Sequence, residues 1–215
     1  MRTLLLVRKD ILLAKKPILL MLILSAIIPL FVVSSVPAMG GTVAFIYTVI
    51  FTELIILQSV AAEESKHPKA AALLCAAPYS RKSFVCAKYV FFLLLFTYCY
   101  VIFSLVGMIN PGVGVVSLSV VLVVFLCGVI IYGVYLPLHF KYGFEKTKFF
   151  FMVTIFVISF GTPIFAPYFA NNNIDFSVLH SIPAAALNLI MFLASVIILC
   201  VSMTLSVKIY SKKDL

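Results

Sequence analysis

Three acidic residues in or beside one apolar run are the first candidates for chemistry. Glu53 stands near the middle of the run, and Glu63 and Glu64 follow its end. If the run crosses a membrane, Glu53 is costly there and should face the bundle interior or a water-filled cavity. Two interpretations stay open: a cavity wall that attracts cationic substrate or relays a proton, and a protonated carboxyl hydrogen-bonded to a neighbouring span.

The other reactive side chains do not form a catalytic or metal-binding pattern. Adjacent residues on a helix point about 100° apart, so Glu63 and Glu64 are poorly placed as an acid/base pair. We expect at least one of them to make an electrostatic contact, and a solvated pair is the alternative. His67, His139 and His180 lie in three separate loops, and the five cysteines have no CxxC or Cys/His spacing. We therefore expect neither a metal site nor a disulfide.

The elements that carry these residues follow from composition. The chain has 215 residues, of which 64% are hydrophobic and 11% are charged, with a mean hydropathy of +1.23. Soluble domains have about 45–50% apolar and about 25% charged residues, so a soluble fold and a disordered chain are both excluded. The apolar runs are continuous rather than alternating, which favours membrane helices over a β-barrel.

Six spans of roughly 20 residues account for nearly all of the chain, which leaves a single all-α transmembrane domain over residues 1–215. We place the spans at Pro17–Val36, Val43–Ala62, Tyr89–Met108, Val115–Leu136, Phe149–Phe165 and Ala184–Val207.

The positive charges give the expected orientation. All 16 lysines and arginines fall in the N-terminal segment, the loops after spans two and four, and the C-terminal tail. The loops after spans one, three and five have none. Because cytoplasmic loops carry the excess of Lys and Arg, this pattern predicts six spans with both termini in the cytoplasm.

Two further segments have a distinctive composition. Residues 1–16 are basic and moderately amphipathic, with Arg2, Lys9 and Lys16 on one face, and predict a helix along the inner membrane interface; a cytoplasmic extension of span one is the alternative.

Residues 162–183 are apolar but interrupted by proline, from Pro163 onward. Irregular backbone at membrane depth needs cover by protein or a water-filled cavity, so we predict a broken, re-entrant segment in the outer leaflet.

Residues 63–88 form a predicted cytoplasmic loop that contains signals for the start and end of a short helix. Pro68 suits the first turn of a helix and Pro78 ends one, and the residues between them, Lys69–Ala77, are rich in Ala and Leu. So short a helix is marginal in water by itself. Docking to another polypeptide and packing on the protein's own spans are equally open from composition.

The loop motifs resemble the membrane subunit of bacterial type-two ATP-binding-cassette (ABC) exporters. The first motif has a carboxylate pair, a short helix ending in Leu-x-x-x-Pro, an arginine, and Ala-Lys-Tyr at the start of the next span. The second motif, LPLHFKYGFEKTK, lies at Leu136–Lys148. The resemblance covers essentially the whole chain and is nearest to small permeases that export amphipathic peptides, such as phenol-soluble modulin toxins and self-protection peptides. The matching residues of the first motif are Glu63, Glu64, Leu74, Pro78, Arg81, Ala87, Lys88 and Tyr89.

The resemblance implies a paired permease that docks two copies of a separate ATPase through the coupling helix Lys69–Ala77. The second permease subunit would be identical, the membrane bacterial and cytoplasmic, and nucleic acid not a partner. ATP and Mg would bind the ATPase; this chain has no GxxxxGK[ST] sequence and would bind no cofactor and catalyse no reaction itself. The implied docking residues are Glu63, Glu64, Lys69, Leu73, Leu74, Pro78, Arg81, Phe144, Glu145 and Lys146. The implied outer gate is formed by Pro163, Phe165, Pro167, Tyr168 and Phe169.

Two other classes compete with this interpretation. A self-sufficient secondary transporter or channel often shows matching helix breaks in two inverted halves, whereas only the fifth span is strongly broken here. Glu53 is also the one clear intramembrane charge. An intramembrane enzyme is a weaker alternative, because no paired catalytic groups occur at membrane depth.

Overall fold

The computed structural model describes residues 2–35, 40–66, 81–110, 112–114, 116–171 and 183–212. Within these ranges the backbone is helical apart from short connections, and no strand occurs. The helices are α1 (Arg2–Leu13), α2 (Lys15–Ser35), α3 (Gly40–Lys66), α4 (Arg81–Ile109), α5 (Leu118–Tyr142), α6 (Phe144–Asn171) and α7 (Ala184–Ser211).

Among the described residues, five helices are long and apolar enough to cross a membrane, which supports the predicted polytopic fold. They are α2, α3, α4, α5 and α7. Helices α3, α4 and α7 contain predicted spans two, three and six in full, whereas α2 and α5 contain spans one and four except at one end, since α2 ends at Ser35 and α5 begins at Leu118. The predicted fifth span lies in α6, which is also helical but is not among the five. Six spans therefore stay a prediction.

The helices on either side of the predicted cytoplasmic loop are longer than predicted. The sequence placed the loop at residues 63–88, but α3 continues to Lys66 and α4 already begins at Arg81. Residues 63–66 and 81–88 are therefore helical, and only 67–80 separate the two helices. The predicted coupling helix, Lys69–Ala77, lies outside the described residues.

Helix α6 corrects the predicted break in span five. It does not end at Gly161, Pro163 or Pro167, but continues as one helix to Asn171. The first part of the predicted re-entrant segment is thus helical backbone. Its remainder, residues 172–182, lies outside the described residues.

Two connections between helices are tight turns. Gly143 joins α5 to α6 with a φ of 78°, a conformation that costs glycine little, and its amide donates to the His139 carbonyl over 2.9 Å. In the turn after α4, the amide of Val113 donates to the Asn110 carbonyl over 3.0 Å. Gly112 donates to the Asn110 side-chain oxygen, also over 3.0 Å.

Helix α4 lies at the centre of the packing, because it contacts α1, α2, α3 and α7. The pairs α5–α7 and α2–α3 pack most extensively. Helix α5 approaches α7 closely at Gly133, where an added Cβ would lie 3.4 Å from the Ser202 Cβ. Helix α1 packs against α3 and α4 through Leu6 and Val7, which are buried. The contacts of α1 bring its polar residues to the ends of these two helices.

Candidate functional site

Four charged side chains from three helices meet beside the connection between α3 and α4. They are Lys9 and Asp10 on α1, Glu64 in the last turn of α3, and Lys88 near the start of α4. The Oε1 atom of Glu64 lies 2.9 Å from both Lys9 Nζ and Lys88 Nζ. Lys88 Nζ also lies 2.9 Å from Asp10 Oδ2. We call these four residues the ion cluster.

The ion cluster is electrically balanced and mostly buried. The exposed fraction of the side chain is 2% for Asp10 and 5% for Lys88, against 21% for Glu64 and 28% for Lys9. Lys9 Nζ also lies 2.9 Å from Asp10 Oδ1, although not in hydrogen-bond geometry. Buried charges are tolerated when they are paired, and two cations facing two carboxylates meet that condition.

Aromatic side chains complete the surroundings of the two lysines. The ring of Phe84 lies 5.0 Å from Lys9 Nζ and 5.5 Å from Lys88 Nζ, within the range of cation–π attraction. The same ring stacks on Tyr210 of α7 with centroids 5.2 Å apart. The hydroxyl of Tyr132 on α5 donates to the Lys88 carbonyl over 2.7 Å. The ion cluster is thus connected to α5 and α7 as well as to α1, α3 and α4.

The predicted carboxylate pair divides into two different contacts. Glu64 turns inward to the ion cluster, whereas Glu63 forms an exposed ion pair with Lys66, three residues on, at 2.6 Å. This is the geometry expected for adjacent helical residues that point in different directions. Only one of the two glutamates therefore ties helices together.

Helix α4 is also joined to α7 by polar contacts. Arg81 donates to the backbone carbonyl of Ser211 over 2.7 Å, at the C-terminal end of α7. Eight residues further along α4, the Tyr89 hydroxyl lies 2.7 Å from Ser202 Oγ and 3.0 Å from Ser206 Oγ. Ser202 in turn donates to the Gly133 carbonyl of α5 over 2.7 Å. The start of α4 is therefore held to α5 and α7 as well as to α1 and α3.

The remaining predicted docking residues do not join the ion cluster. Phe144 is half-buried in the first turn of α6, where Glu145 and Lys146 are exposed, and Lys146 Nζ lies 6.0 Å from the Tyr142 ring. Lys69, Leu73, Leu74 and Pro78 lie outside the described residues. The predicted outer-gate residues, Pro163, Phe165, Pro167, Tyr168 and Phe169, belong to a part of α6 for which only the helical backbone is described.

Glu53 occupies a separate buried position in the middle of α3. It is 5% exposed and borders a cavity of about 10 Å³. Its Oε1 atom makes no hydrogen bond to the part of the chain that the structure describes. An added Cβ at Gly128 of α5 would lie 3.4 Å from Glu53 Oε2. The cavity is lined by Ile50, Glu53, Leu54, Gly128, Ile131 and Tyr132.

Sequence reasoning missed the contribution of α1 to the ion cluster. Lys9 was assigned to a basic, membrane-facing surface, but it is bound to Glu64. Asp10 was not singled out at all. A usable signal existed, because Asp10 lies at helical spacing between Val7 and Ala14, both of which are buried, and a carboxylate on an apolar stripe needs a partner. Among the described residues no group of three His, Cys, Asp or Glu side chains is placed to hold a metal ion.

Comparison with known proteins identifies the family. Neither the curated proteins nor the solved structures give a match. The model of the family described as ABC-2 family transporter protein matches residues 5–211, a range that includes the ion cluster and all of the described helices except the first three residues of α1. The chain therefore belongs to the ABC-2 family of transporter proteins, as a multi-pass membrane permease component that is not itself catalytic.

Proposed function

We propose that this chain is the permease subunit of an ATP-driven exporter of bacterial cytoplasmic membranes, which moves an amphipathic or hydrophobic substrate, a peptide, out of the cell. The ATPase is a separate polypeptide that binds ATP and Mg. The observation that carries the proposal is the ion cluster. It fixes Glu64 and Lys88, which flank the predicted ATPase-docking segment, to one another over 2.9 Å.

The proposal assigns a mechanical role to this arrangement. Separating buried opposite charges leaves at least one of them unpaired at a cost of several kcal/mol, about 3–5. A force on residues 67–80 is therefore expected to move the end of α3 and the start of α4 together with α1. The contacts of Arg81 and Tyr89 pass the same motion to α7, and the Tyr132 contact passes it to α5.

The remaining parts of the proposal come from the family resemblance. Two permease chains, identical to one another, would associate with two ATPase copies, and both termini would lie in the cytoplasm. Leu73 and Leu74 would insert into the ATPase, and Phe144, Glu145 and Lys146 would add a second contact. The exposed positions of Glu145 and Lys146 leave them accessible to such a partner. The substrate would leave between the two permeases, past the outer-gate residues of α6.

Purification of the tagged chain from its native membrane tests the partner. We expect an ATPase with a GxxxxGK[ST] sequence to co-purify, and to be lost from the Leu73→Asp/Leu74→Asp variant. Lys82→Asp, at an exposed position on α4, is the matched control and should retain the ATPase. If the chain purifies alone and moves solute when reconstituted by itself, it is a secondary transporter or channel and the proposal is wrong.

A second experiment tests whether the ion cluster transmits motion. The neutral pair Asp10→Asn/Lys88→Met removes one charge of each sign and leaves the Lys9–Glu64 pair in place. We expect this variant to bind the ATPase as the wild type does but to lose at least tenfold of its ATP-dependent transport. Wild-type transport by a folded double variant would show that the ion cluster has no part in coupling.

A further inference from the structure

Glu53 is a buried acid that the ATP-driven mechanism does not use. It lies near the middle of α3, far from both ends of the span Gly41–Lys66. Its side chain is one of the few ionisable groups in the described interior outside the ion cluster. An ionisable residue at such a depth is costly, and residues of this kind usually have a functional role.

No cation in the described part of the chain compensates Glu53. All ion pairs found there involve Asp10, Glu63 or Glu64. The ionisable side chain that shares the cavity with Glu53 is Tyr132 of α5, and a phenol carries no positive charge. A bare carboxylate in this setting would be an unpaired buried charge, which proteins avoid by neutralising the group.

The geometry beside Glu53 suits a neutral, hydrated carboxyl. The Oε1 atom lacks a hydrogen bond to the described residues, and the adjoining cavity of about 10 Å³ is close to the smallest that admits one water. Gly128 keeps this space open, since a Cβ added at this position would lie 3.4 Å from Oε2. A protonated carboxyl has both a donor and an acceptor to offer such a water.

We propose that Glu53 is a proton-binding site inside the protomer, where the carboxyl retains its proton and hydrogen-bonds to one water in the cavity bordered by Gly128 and Tyr132. The ligand is a proton, and no cation or substrate charge is needed to stabilise the group. A conformation that parts α3 from α5 at Gly128 would admit more water and release the proton. The site is independent of ATPase binding, so it stands or falls separately from the proposed function.

Infrared spectroscopy of the purified full-length chain, in micelles of a detergent that has no carbonyl group, tests the proposal at neutral pH. We expect a carbonyl band of a protonated carboxylic acid, equivalent to about one group per chain, that shifts in D₂O. The band should be absent from Glu53→Gln. It should remain in Glu64→Gln, which removes the paired carboxylate from the same helix.

Two results would overturn the proposal. Absence of a protonated-carboxyl band from the wild type would show that Glu53 is ionised, whatever the variants do. A band that persists unchanged in Glu53→Gln would assign the proton to another residue. If Glu53→Gln fails to fold, Glu53→Asp supplies the assignment, because the shorter side chain changes the hydrogen bonding and must move the band.

Discussion

Glu53 and Glu64 are the same residue type in the same helix, and the protein stabilises them in different ways. They are separated by three turns of α3, roughly 16 Å at about 1.5 Å per residue. Glu64 is bound by two lysines at 2.9 Å, whereas Glu53 has no cation among the described residues and borders a small cavity. Near the end of a helix, a carboxylate can pair with charged residues from neighbouring elements. In the apolar middle of a helix, protonation neutralises the carboxyl instead.

Among the variants that test this comparison, Lys88→Met should cause the largest loss of stability. It leaves Asp10 and Glu64 with Lys9 as their one remaining partner in the ion cluster, so an unpaired charge is buried. We expect a loss of about 3–5 kcal/mol in the free energy of unfolding, measured by denaturant titration in detergent micelles.

The matched controls separate charge imbalance from lost packing. Lys82→Met changes the same residue type at an exposed position of α4 and should be nearly neutral. Adding Asp10→Asn to Lys88→Met restores the balance of charge and should recover part of the stability. Equal losses in the single and double variants would show that unpaired charge is not the cause.

Glu64→Gln should have an intermediate effect. The amide keeps the shape of the side chain but loses the negative charge that both lysines contact. Hydrogen bonds to charged groups contribute about 1.5–3 kcal/mol, and we expect a loss in this range by the same titration. Glu63→Gln, at the neighbouring exposed pair with Lys66, should change stability by less than about 1 kcal/mol. Similar losses at both positions would remove the distinction between the buried and exposed pairs.

Gly128→Ala should have a smaller effect on stability but a clear effect on Glu53. The new methyl group would lie 3.4 Å from Glu53 Oε2 and 3.6 Å from the Phe92 ring, which are ordinary contact distances. Because alanine gains about 1 kcal/mol of helix propensity over glycine, we expect little net loss in unfolding titrations. The methyl should exclude the water, and so shift the infrared band of Glu53. An unshifted band would place the water elsewhere.

Glu53→Gln should have the smallest effect on stability. If the carboxyl is already neutral, the amide replaces it with a group of equal charge and similar shape, and the loss of stability should be well below that of Glu64→Gln. The same substitution thus gives a loss of about 1.5–3 kcal/mol at Glu64 and a much smaller one at Glu53. A loss at Glu53 as large as that at Glu64 would indicate an ionised carboxylate with a partner.

Much of the fold follows from composition and charge distribution. Long apolar runs predict helices because backbone polar groups in lipid must be satisfied within the segment. Predicted spans two, three and six lie within described helices, as do spans one and four except at one end. The break predicted at Pro163 and Pro167 was wrong, since α6 continues through both. Proline disfavours a helix in water, but within a membrane neighbouring groups can satisfy the backbone it frees.

Less of the candidate site was predictable. Glu64 was selected from its motif, but its partners come from α1 and α4, and pairing between distant helices leaves no local pattern. Lys9 is separated from Glu64 by 55 positions. Its place on the basic face of α1 predicts contact with the membrane surface rather than with Glu64. The burial of Glu53 did follow from the cost of charge at its depth, whereas the cavity beside it depends on Gly128 of another helix.

The ion cluster has a consequence for the order in which the protein is made. Glu64 is synthesised 55 residues after Lys9, and Lys88 follows 24 residues after Glu64. At about 5–20 residues per second, α1 leaves the ribosome several seconds before its last partner. During that interval Asp10 has Lys9 beside it but no cation from α4, so the pairing of the ion cluster is incomplete. The arrival of Lys88 thus completes the ion cluster.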